Sequence, residues 1–264
     1  CSRPPAVGGG FGAHGSGCPA HGSGHTPRPT GPAPTVSGLL PLLRLLQLAS
    51  PALPVGAYTY SQGLEWAVES GAVRGEADAA AWIGDVLAWG LARFEAPLLA
   101  RQLAARRAGD DGEVARLNAD FLASRETAEL RAETVQMGWS LVKLLAELEA
   151  FAALPGWRPR LLAIDTPCFP TAWSAAAAAW QVPADQALAA YLWAWAENQV
   201  MAAVKAVPLG QSAGQRLLAA LGARIPALVE SALQLPEARW SNYTPGLAIA
   251  SSRHETQYTR LFRS

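Results

Sequence analysis

From Ser37 to the end of the sequence, apolar residues recur three and four positions apart, and no stretch shows the sustained alternation of half-buried strands. Ala, Leu, Glu, Gln and Arg, all strong helix formers, dominate this region. Connections between the periodic stretches are short, and no flexible linker interrupts them. The pattern therefore predicts an all-α fold, with about nine or ten helices in a single compact domain over residues 39–264.

The helix boundaries follow from caps, prolines and glycines. The predicted helices cover residues 39–49, 58–71, 76–92, 95–107, 111–124, 126–152, 171–180, 184–207 and 213–235. In the first of these we expect a buried stripe formed by Leu42, Leu45, Leu46 and Ala49.

Residues 1–38 differ sharply in composition from the rest of the chain. They are rich in glycine, proline and histidine, contain no acidic residue and have few large apolar side chains. Such a segment cannot bury enough apolar surface to offset the entropy of ordering it. We therefore predict a disordered N-terminal tail up to residue 38.

Two motif matches fall inside this tail. Gly10, Gly12 and Gly15 satisfy G-x-G-x-x-G, but this pattern indicates a dinucleotide site only between a strand and a helix, and neither is predicted here. Cys18 and His21, flanked by two further histidines, have a spacing that suits zinc or nickel if the segment is ordered. In a tail of this composition a chance match is the simpler interpretation, so no metal site is predicted.

The charge balance argues against two classes of partner. The chain of 264 residues carries 21 Lys and Arg against 21 Asp and Glu, and neither sign forms a block. This balance predicts neither a nucleic-acid groove nor attraction to an anionic membrane. The three cysteines are scattered, which fits a reducing, cytoplasmic location better than a disulfide framework.

Catalytic motifs are few. No G-x-x-x-x-G-K-[ST] sequence occurs, so we do not expect the chain to be a P-loop nucleotidase. His254-Glu255 begins like a zinc-protease helix, but Tyr258 stands where the second histidine ligand is required. A nucleophile pair of Cys168 and His254 remains an alternative, although CFP followed by an alanine-rich helix favours a buried packing cysteine. We expect no enzymatic activity and no cofactor.

The segment LASPALPVGAYTYSQGLEWAVESG, residues 48–71, breaks an apolar helix and then begins another. Pro51 and Pro54 restrict the turn, and Gly56 permits a close approach of the backbone. We expect the loop to display Tyr58 and Tyr60 as a docking edge. Packing of Tyr58 at the start of a helix is the alternative interpretation.

Four separated stretches together resemble one protein family. They are LLQLASPALPVGAYTYSQGLEWAVESGAV, SRETAELRAETVQMGWSL, NQVMAAVKAVPLGQSAGQRLL and IASSRHETQYTRLFRS. In this order they resemble the UreF family of urease accessory proteins, over essentially all of residues 39–264. The N-terminal tail lies outside the resemblance.

The resemblance implies a non-enzymatic, all-α homodimer that helps to load nickel into apo-urease. Members of the family bind UreD, also called UreH, and recruit the nickel-carrying GTPase UreG, whose activity they are proposed either to activate or to gate. The implied partners of this chain are therefore UreD/UreH, UreG and apo-urease.

By resemblance, Tyr58 and Arg260 lie on the surface that meets the GTPase. The C-terminal stretch is expected to become ordered on UreD, whereas a polar chain end generally frays. The candidate partner-binding residues lie in these two stretches and are Tyr58, Tyr60, Ser61, Glu65, Arg253, His254, Glu255, Tyr258, Arg260, Leu261, Phe262 and Arg263.

Two alternatives remain beside the adaptor role. The first is a nickel-binding metallochaperone that uses the His/Cys-rich N-terminal tail, with the helical domain as a dimerisation scaffold. The second is a GTPase-activating protein that inserts Arg260 or Arg263 as an arginine finger.

Overall fold

The computed structural model describes residues 39–264, and every regular element within that range is helical. The all-α prediction is confirmed. The predicted disorder of the tail, its glycine motif and its Cys18/His21 pair lie outside the described residues. The α-helices are α1 (Leu39–Ala49), α2 (Leu64–Glu69), α3 (Glu76–Asp85), α4 (Ala96–Ala108), α5 (Asp111–Ala123), α6 (Ala128–Glu147), α7 (Glu149–Ala152), α8 (Trp157–Leu162), α9 (Phe169–Ala179), α10 (Ala184–Ala206), α11 (Gln211–Gln234) and α12 (Pro245–His254).

Shorter or unusual helices complete the fold. A π-helix, Val86–Glu95, joins α3 to α4, and 3₁₀ turns occur at Ala57–Thr59 and Glu237–Arg239. The predicted gap between residues 92 and 95 is absent, because the π-helix continues directly into α4; Pro97 lies in the first turn of α4, where its missing N–H costs little. The long helix predicted to end at residue 152 stops at Glu147, since Leu148 is extended.

The core is organised around α9 and α10. Helix α10 packs along α11 and also contacts α1, α2 and α4, while α9 packs between α4 and α6. Ala175, Ala176 and Ala177 in α9 are fully buried. Their small side chains allow the neighbouring helices to pack closely, which explains why an alanine-rich stretch lies at the centre of the molecule.

Helix α1 differs from its predicted amphipathic pattern. Of the predicted stripe, Leu45 is buried and Ala49 is partly buried, whereas Leu42 and Leu46 are exposed; Leu48, which was not predicted, is buried. Five other leucines of this helix are between 43% and 60% exposed: Leu39, Leu40, Leu42, Leu43 and Leu46. The prediction was wrong for Leu42 and Leu46, because α1 packs mainly on α10 and this contact covers only a narrow face of the helix. We call the five exposed side chains the leucine face.

One described helix, α11, is long and apolar enough to cross a membrane by length and composition alone. Buried helices of soluble proteins pass the same test. In the structure α11 packs against α10, α4, α3 and the π-helix.

Candidate partner-binding surface

The loop after α1 forms a compact corner. Gly56 adopts a left-handed conformation with φ 83°, and the 3₁₀ turn Ala57–Thr59 follows it. The second helix does not begin near Tyr58 as predicted. Gln62 and Gly63 both have positive φ, which interrupts the helical path, so α2 starts at Leu64.

The two tyrosines of the loop have different surroundings. Tyr60 is buried, and its hydroxyl donates to Gln136 Oε1 at 2.7 Å. Tyr58 is partly exposed, and burial together with the nearby Glu197 carboxylate raises its pKa. Asn198 of α10 donates to the carbonyl of Tyr60 at 3.1 Å and so fixes the loop against the core. Only Tyr58 of this pair is available to a partner.

The C-terminal segment, residues 255–264, folds back onto this loop. Arg263 N donates to the Thr59 carbonyl at 2.7 Å. The Ser264 carbonyl accepts from both the backbone N–H and the hydroxyl of Ser61, at 2.7 and 2.6 Å. Ser264 is 1% exposed. The fraying expected of a polar chain end is therefore not observed, because the chain itself supplies the hydrogen-bond partners.

Glu65 of α2 is the main acceptor for this segment. Its Oε1 accepts from Leu261 N at 2.6 Å, and its Oε2 accepts from Phe262 N at 3.0 Å. The second oxygen also lies 3.2 Å from His254 Nε2. Since Glu65 is only 7% exposed, these bonds form largely away from water, where losing an acceptor is costly.

His254 ties α12 to both α2 and α6. The ring is fully buried, and its Nδ1 lies 2.7 Å from Glu129 Oε2, opposite the contact with Glu65. Glu129 Oε1 in turn accepts from Arg260 Nη1 at 2.6 Å. The two carboxylates therefore hold one histidine and one arginine of the chain end in place. We call Glu65, Glu129, His254 and Arg260 the latch.

Glu255 provides a further connection to α6. Its Oε1 accepts from the backbone N–H groups of Ala128 and Glu129 at 2.8 and 3.2 Å, in the first turn of the helix. A carboxylate is favourable there because the first N–H groups of a helix lack intrahelical acceptors. Thr127 caps the same helix by accepting from Leu130 N.

Close packing brings α12 against α2. A Cβ added at Gly63 would lie 2.8 Å from the backbone nitrogen of Ser251, so only glycine fits between the two helices. Ser251 Oγ lies 2.8 Å from Thr127 Oγ1, which joins α12 to the start of α6. This contact positions His254 beside Glu65.

Glu133 holds the last residue. It accepts from Gln62 Nε2 at 2.7 Å and from Ser264 Oγ at 2.9 Å. Burial is the main cause that raises its pKa from 4.5 to about 7. This carboxyl group therefore changes its charge near neutral pH while it is in contact with the chain end.

The raised pKa of Glu133 predicts a pH dependence of stability. Between about pH 4.5 and 7 the folded chain binds more protons than the unfolded chain, so the free energy of unfolding decreases as the pH rises through this window. The decrease attributable to Glu133 is on the order of 3 kcal/mol. The substitution Glu133→Gln should remove this decrease in the free energy of unfolding and should therefore stabilise the chain above about pH 7.

Urea unfolding of both proteins at about pH 5 and about pH 8 measures this effect. The difference between wild type and variant isolates Glu133 from other titrating groups. An equal decrease in both proteins would contradict the assignment.

The exposed side chains of the loop after α1 and of the C-terminal segment are mostly cationic or apolar. A surface groove of about 570 Å³ lies between the loop and the C-terminal segment, and its lining residues are Tyr58, Thr59, Lys205, Leu261, Phe262 and Arg263. Leu261 is 71% exposed, whereas Phe262 is buried with Lys205 Nζ 5.7 Å from its ring centroid. Together with exposed Arg260, these lining residues form the surface that we call the groove face.

The structure divides the predicted partner-binding residues into two groups. Exposed or partly exposed are Tyr58, Arg253, Glu255, Tyr258, Arg260, Leu261 and Arg263. Buried are Tyr60, Ser61, Glu65, His254 and Phe262. The buried residues hold the segment in place, so in this conformation they support the groove face and are covered from a partner. The sequence reasoning missed Lys205, whose only signal was its place in one of the four resembling stretches.

The alternative chemistries find little support in the described part of the chain. Cys168 is buried as expected, its Sγ lies 2.9 Å from Thr171 Oγ1, and burial raises its pKa to about 12. His254 contacts carboxylates instead of this thiol. Within residues 39–264, no group of three or more His, Cys, Asp or Glu side chains is placed to hold a metal ion.

Comparison with known proteins identifies the family. The family model described as UreF matches residues 73–222, which is more than half of the chain. The chain belongs to the UreF family. The urease accessory protein UreF of Azoarcus sp. (strain BH72) is 82% identical over 227 residues, covering 86% of this chain and 97% of the relative.

Two further relatives agree with this assignment. The urease accessory protein UreF of Dechloromonas aromatica (strain RCB) is 60% identical over 230 residues, covering 85% of this chain and 98% of the relative. The protein of the same name from Methylobacillus flagellatus is 51% identical over 223 residues, covering 84% and 97%. The UreF relatives are matched over nearly their whole length, which confirms the resemblance seen in the four sequence stretches.

Proposed function

We propose that this UreF-family chain is a dimeric, non-enzymatic adaptor in urease maturation. It binds UreD/UreH and recruits or regulates the GTPase UreG during nickel insertion into apo-urease, in the cytoplasm and without a role for nucleic acid or membrane. Family membership supports the maturation role. The observation that best supports the adaptor role is the groove face, which the latch holds in place on the surface.

The composition of the groove face suits protein recognition. Tyrosine and arginine are the residue types that most often dominate binding energy at interfaces, and Tyr58, Arg260 and Arg263 supply them here. Leu261 adds an exposed apolar contact beside them. Arg260 already forms an ion pair with Glu129, so its use as an arginine finger requires that pair to break first.

Complex formation tests the adaptor role. Size-exclusion chromatography with light scattering is performed on the full chain alone, with UreD, and with UreD plus GTP-loaded UreG. Leu261→Asp should weaken binding of at least one partner by about tenfold or more, because it replaces the exposed apolar side chain of the groove face with a charge.

Leu162→Asp is the matched control, since Leu162 is an exposed leucine on α8. It should bind like wild type. Equal complex formation by both variants and wild type would refute the groove face as the docking site. The nickel-binding tail would then be tested by nickel titration of the full chain against a variant that lacks residues 1–38.

The leucine face of α1 supports the homodimer. An uncharged patch of five partly exposed leucines is unusual on a protein that stays monomeric. A second copy can cover it without any charge complementarity, and interfaces of permanent homodimers are correspondingly apolar.

Replacing Leu43 and Leu46 with lysine should therefore weaken the dimer by about a hundredfold, because two charges would be placed in an apolar interface. Light scattering over a dilution series measures the molar mass of each variant and so distinguishes the dimer from the monomer. The control is Leu162→Lys together with Leu233→Lys, two exposed leucines outside α1. A double variant that remains dimeric at the same dilution as the control would remove α1 from the interface.

A further inference from the structure

A cavity of about 80 Å³ shares Tyr58 with the groove face, and its other lining residues are different. Its walls come from the end of α1 and the loop after it, from the π-helix, from α5 and the loop after α5, and from α6, α9 and α10. One bound water needs about 10–15 Å³ of this cavity volume. Counting one non-hydrogen atom per water, the cavity has room for a molecule of about five to eight non-hydrogen atoms. We call it the chamber.

Two hydrogen-bond donors of the chamber walls lack acceptors. The Trp173 indole is fully buried, and its Nε1–H has no acceptor among residues 39–264. Thr134 Oγ1 accepts from Phe169 N at 3.1 Å, which leaves its own hydroxyl hydrogen free to donate. A buried donor without a partner costs free energy, so both groups favour a molecule that offers an acceptor oxygen.

The charged groups of the chamber select against an anion. Arg125 forms an ion pair with Glu95 at 2.9 Å, and the second oxygen of Glu95 accepts from the Tyr191 hydroxyl at 2.8 Å. The arginine charge is therefore already neutralised. Glu133 and Glu197 add further carboxyl groups to the wall, and Glu133 has lone pairs left to accept a hydrogen bond.

The remaining walls are largely aromatic. Phe169 and Tyr191 lie 5.7 and 5.5 Å from the Trp173 ring, measured between centroids, and Phe121 and Trp195 also line the chamber. Aromatic walls fit the apolar part of a small molecule, and a few polar groups fix its orientation.

We propose that the chamber is a binding site for a small, neutral carboxamide. Its carbonyl oxygen accepts from Trp173 and Thr134, its N–H groups donate to Glu133, and its alkyl part packs on the aromatic walls. A carboxamide combines an acceptor, donors and zero charge at this size. Apart from Tyr58, the site shares no lining residue with the groove face, and its test does not require complex formation.

A titration of the full chain with isobutyramide tests this proposal. The indole N–H signal of Trp173 is followed by NMR and is assigned as the signal that Trp173→Phe removes. The matched probe is isobutyrate, which has the same shape but carries a negative charge. Affinities for the variants are measured by ligand-observed NMR.

The proposal predicts a saturable shift of the Trp173 signal with isobutyramide and none with isobutyrate. Trp173→Phe and Thr134→Val should each weaken isobutyramide binding by about fivefold, which is the effect of one hydrogen bond. If one of the two variants does not fold, the other variant and the comparison of isobutyramide with isobutyrate on the wild-type chain still test the proposal. An unchanged Trp173 signal overturns the proposal, because the chamber would then hold only water. Equal binding of isobutyramide and isobutyrate also overturns it, because the chamber would then select ligands by shape alone.

Discussion

Glu65→Ala should release the C-terminal segment while leaving the helical domain folded. The substitution removes the acceptor of Leu261 N and Phe262 N and one of the two carboxylates beside His254. Each buried donor left without a partner costs about 1–3 kcal/mol. Detachment of the segment returns these groups to water, so the latch should open before the domain unfolds.

Carboxypeptidase digestion followed by mass spectrometry measures this release. The wild-type chain should resist, because Ser264 is 1% exposed, whereas the Glu65→Ala variant should lose residues from its C-terminus at least about tenfold faster. Glu69→Ala, an exposed position on the same helix, is the control and should behave like wild type. Equal digestion of wild type and Glu65→Ala would show that Glu65 does not hold the segment.

Gly138→Ala should produce the largest loss of overall stability. A Cβ at this position of α6 would clash with the carbonyl oxygen of Pro167 and would lie 2.8 Å from the backbone carbonyl carbon of Cys168. Both contacts are with backbone, so α6 must move away from the start of α9. We expect the free energy of unfolding to fall by about 3 kcal/mol or more.

The effect should also reach the candidate site, since α6 carries Glu129 and Glu133. Gly112→Ala is the matched control, because its nearest neighbour is 3.5 Å away and its helix gains from alanine. Urea unfolding should show the control at or slightly above wild-type stability. A Gly138→Ala variant as stable as wild type would contradict the close packing of α6 against residues 167–168.

The sequence predicted those helices and loops whose pattern lies within a single stretch of the chain. The helical period predicted α10 and α11 closely, and the Pro/Gly cluster after α1 marked the loop of Tyr58. The turn at Gln62 and Gly63 was missed because glutamine is not a usual residue for positive φ. The π-helix was also missed, since its residues have ordinary helical composition.

The latch could not be predicted from local pattern, because its contacts join residues far apart in sequence. Glu65 and His254 are 189 positions apart, and Arg260 and Glu129 are 131 apart. The family resemblance did point to both chain stretches. It did not distinguish Glu65 and His254, which are buried supports, from Tyr58 and Leu261, which face solvent. That distinction depends on burial, and burial depends on the tertiary fold.

The central claim is that the chain holds its own C-terminal segment in place, so that the groove face is preformed. Hydrogen exchange at the Leu261 and Phe262 amides of the free protein tests this most directly. The account predicts protection of both amides before any partner is added, and its loss in Glu65→Ala. Exchange at the rate of an unstructured chain in the free protein, with protection only after UreD is added, would contradict it.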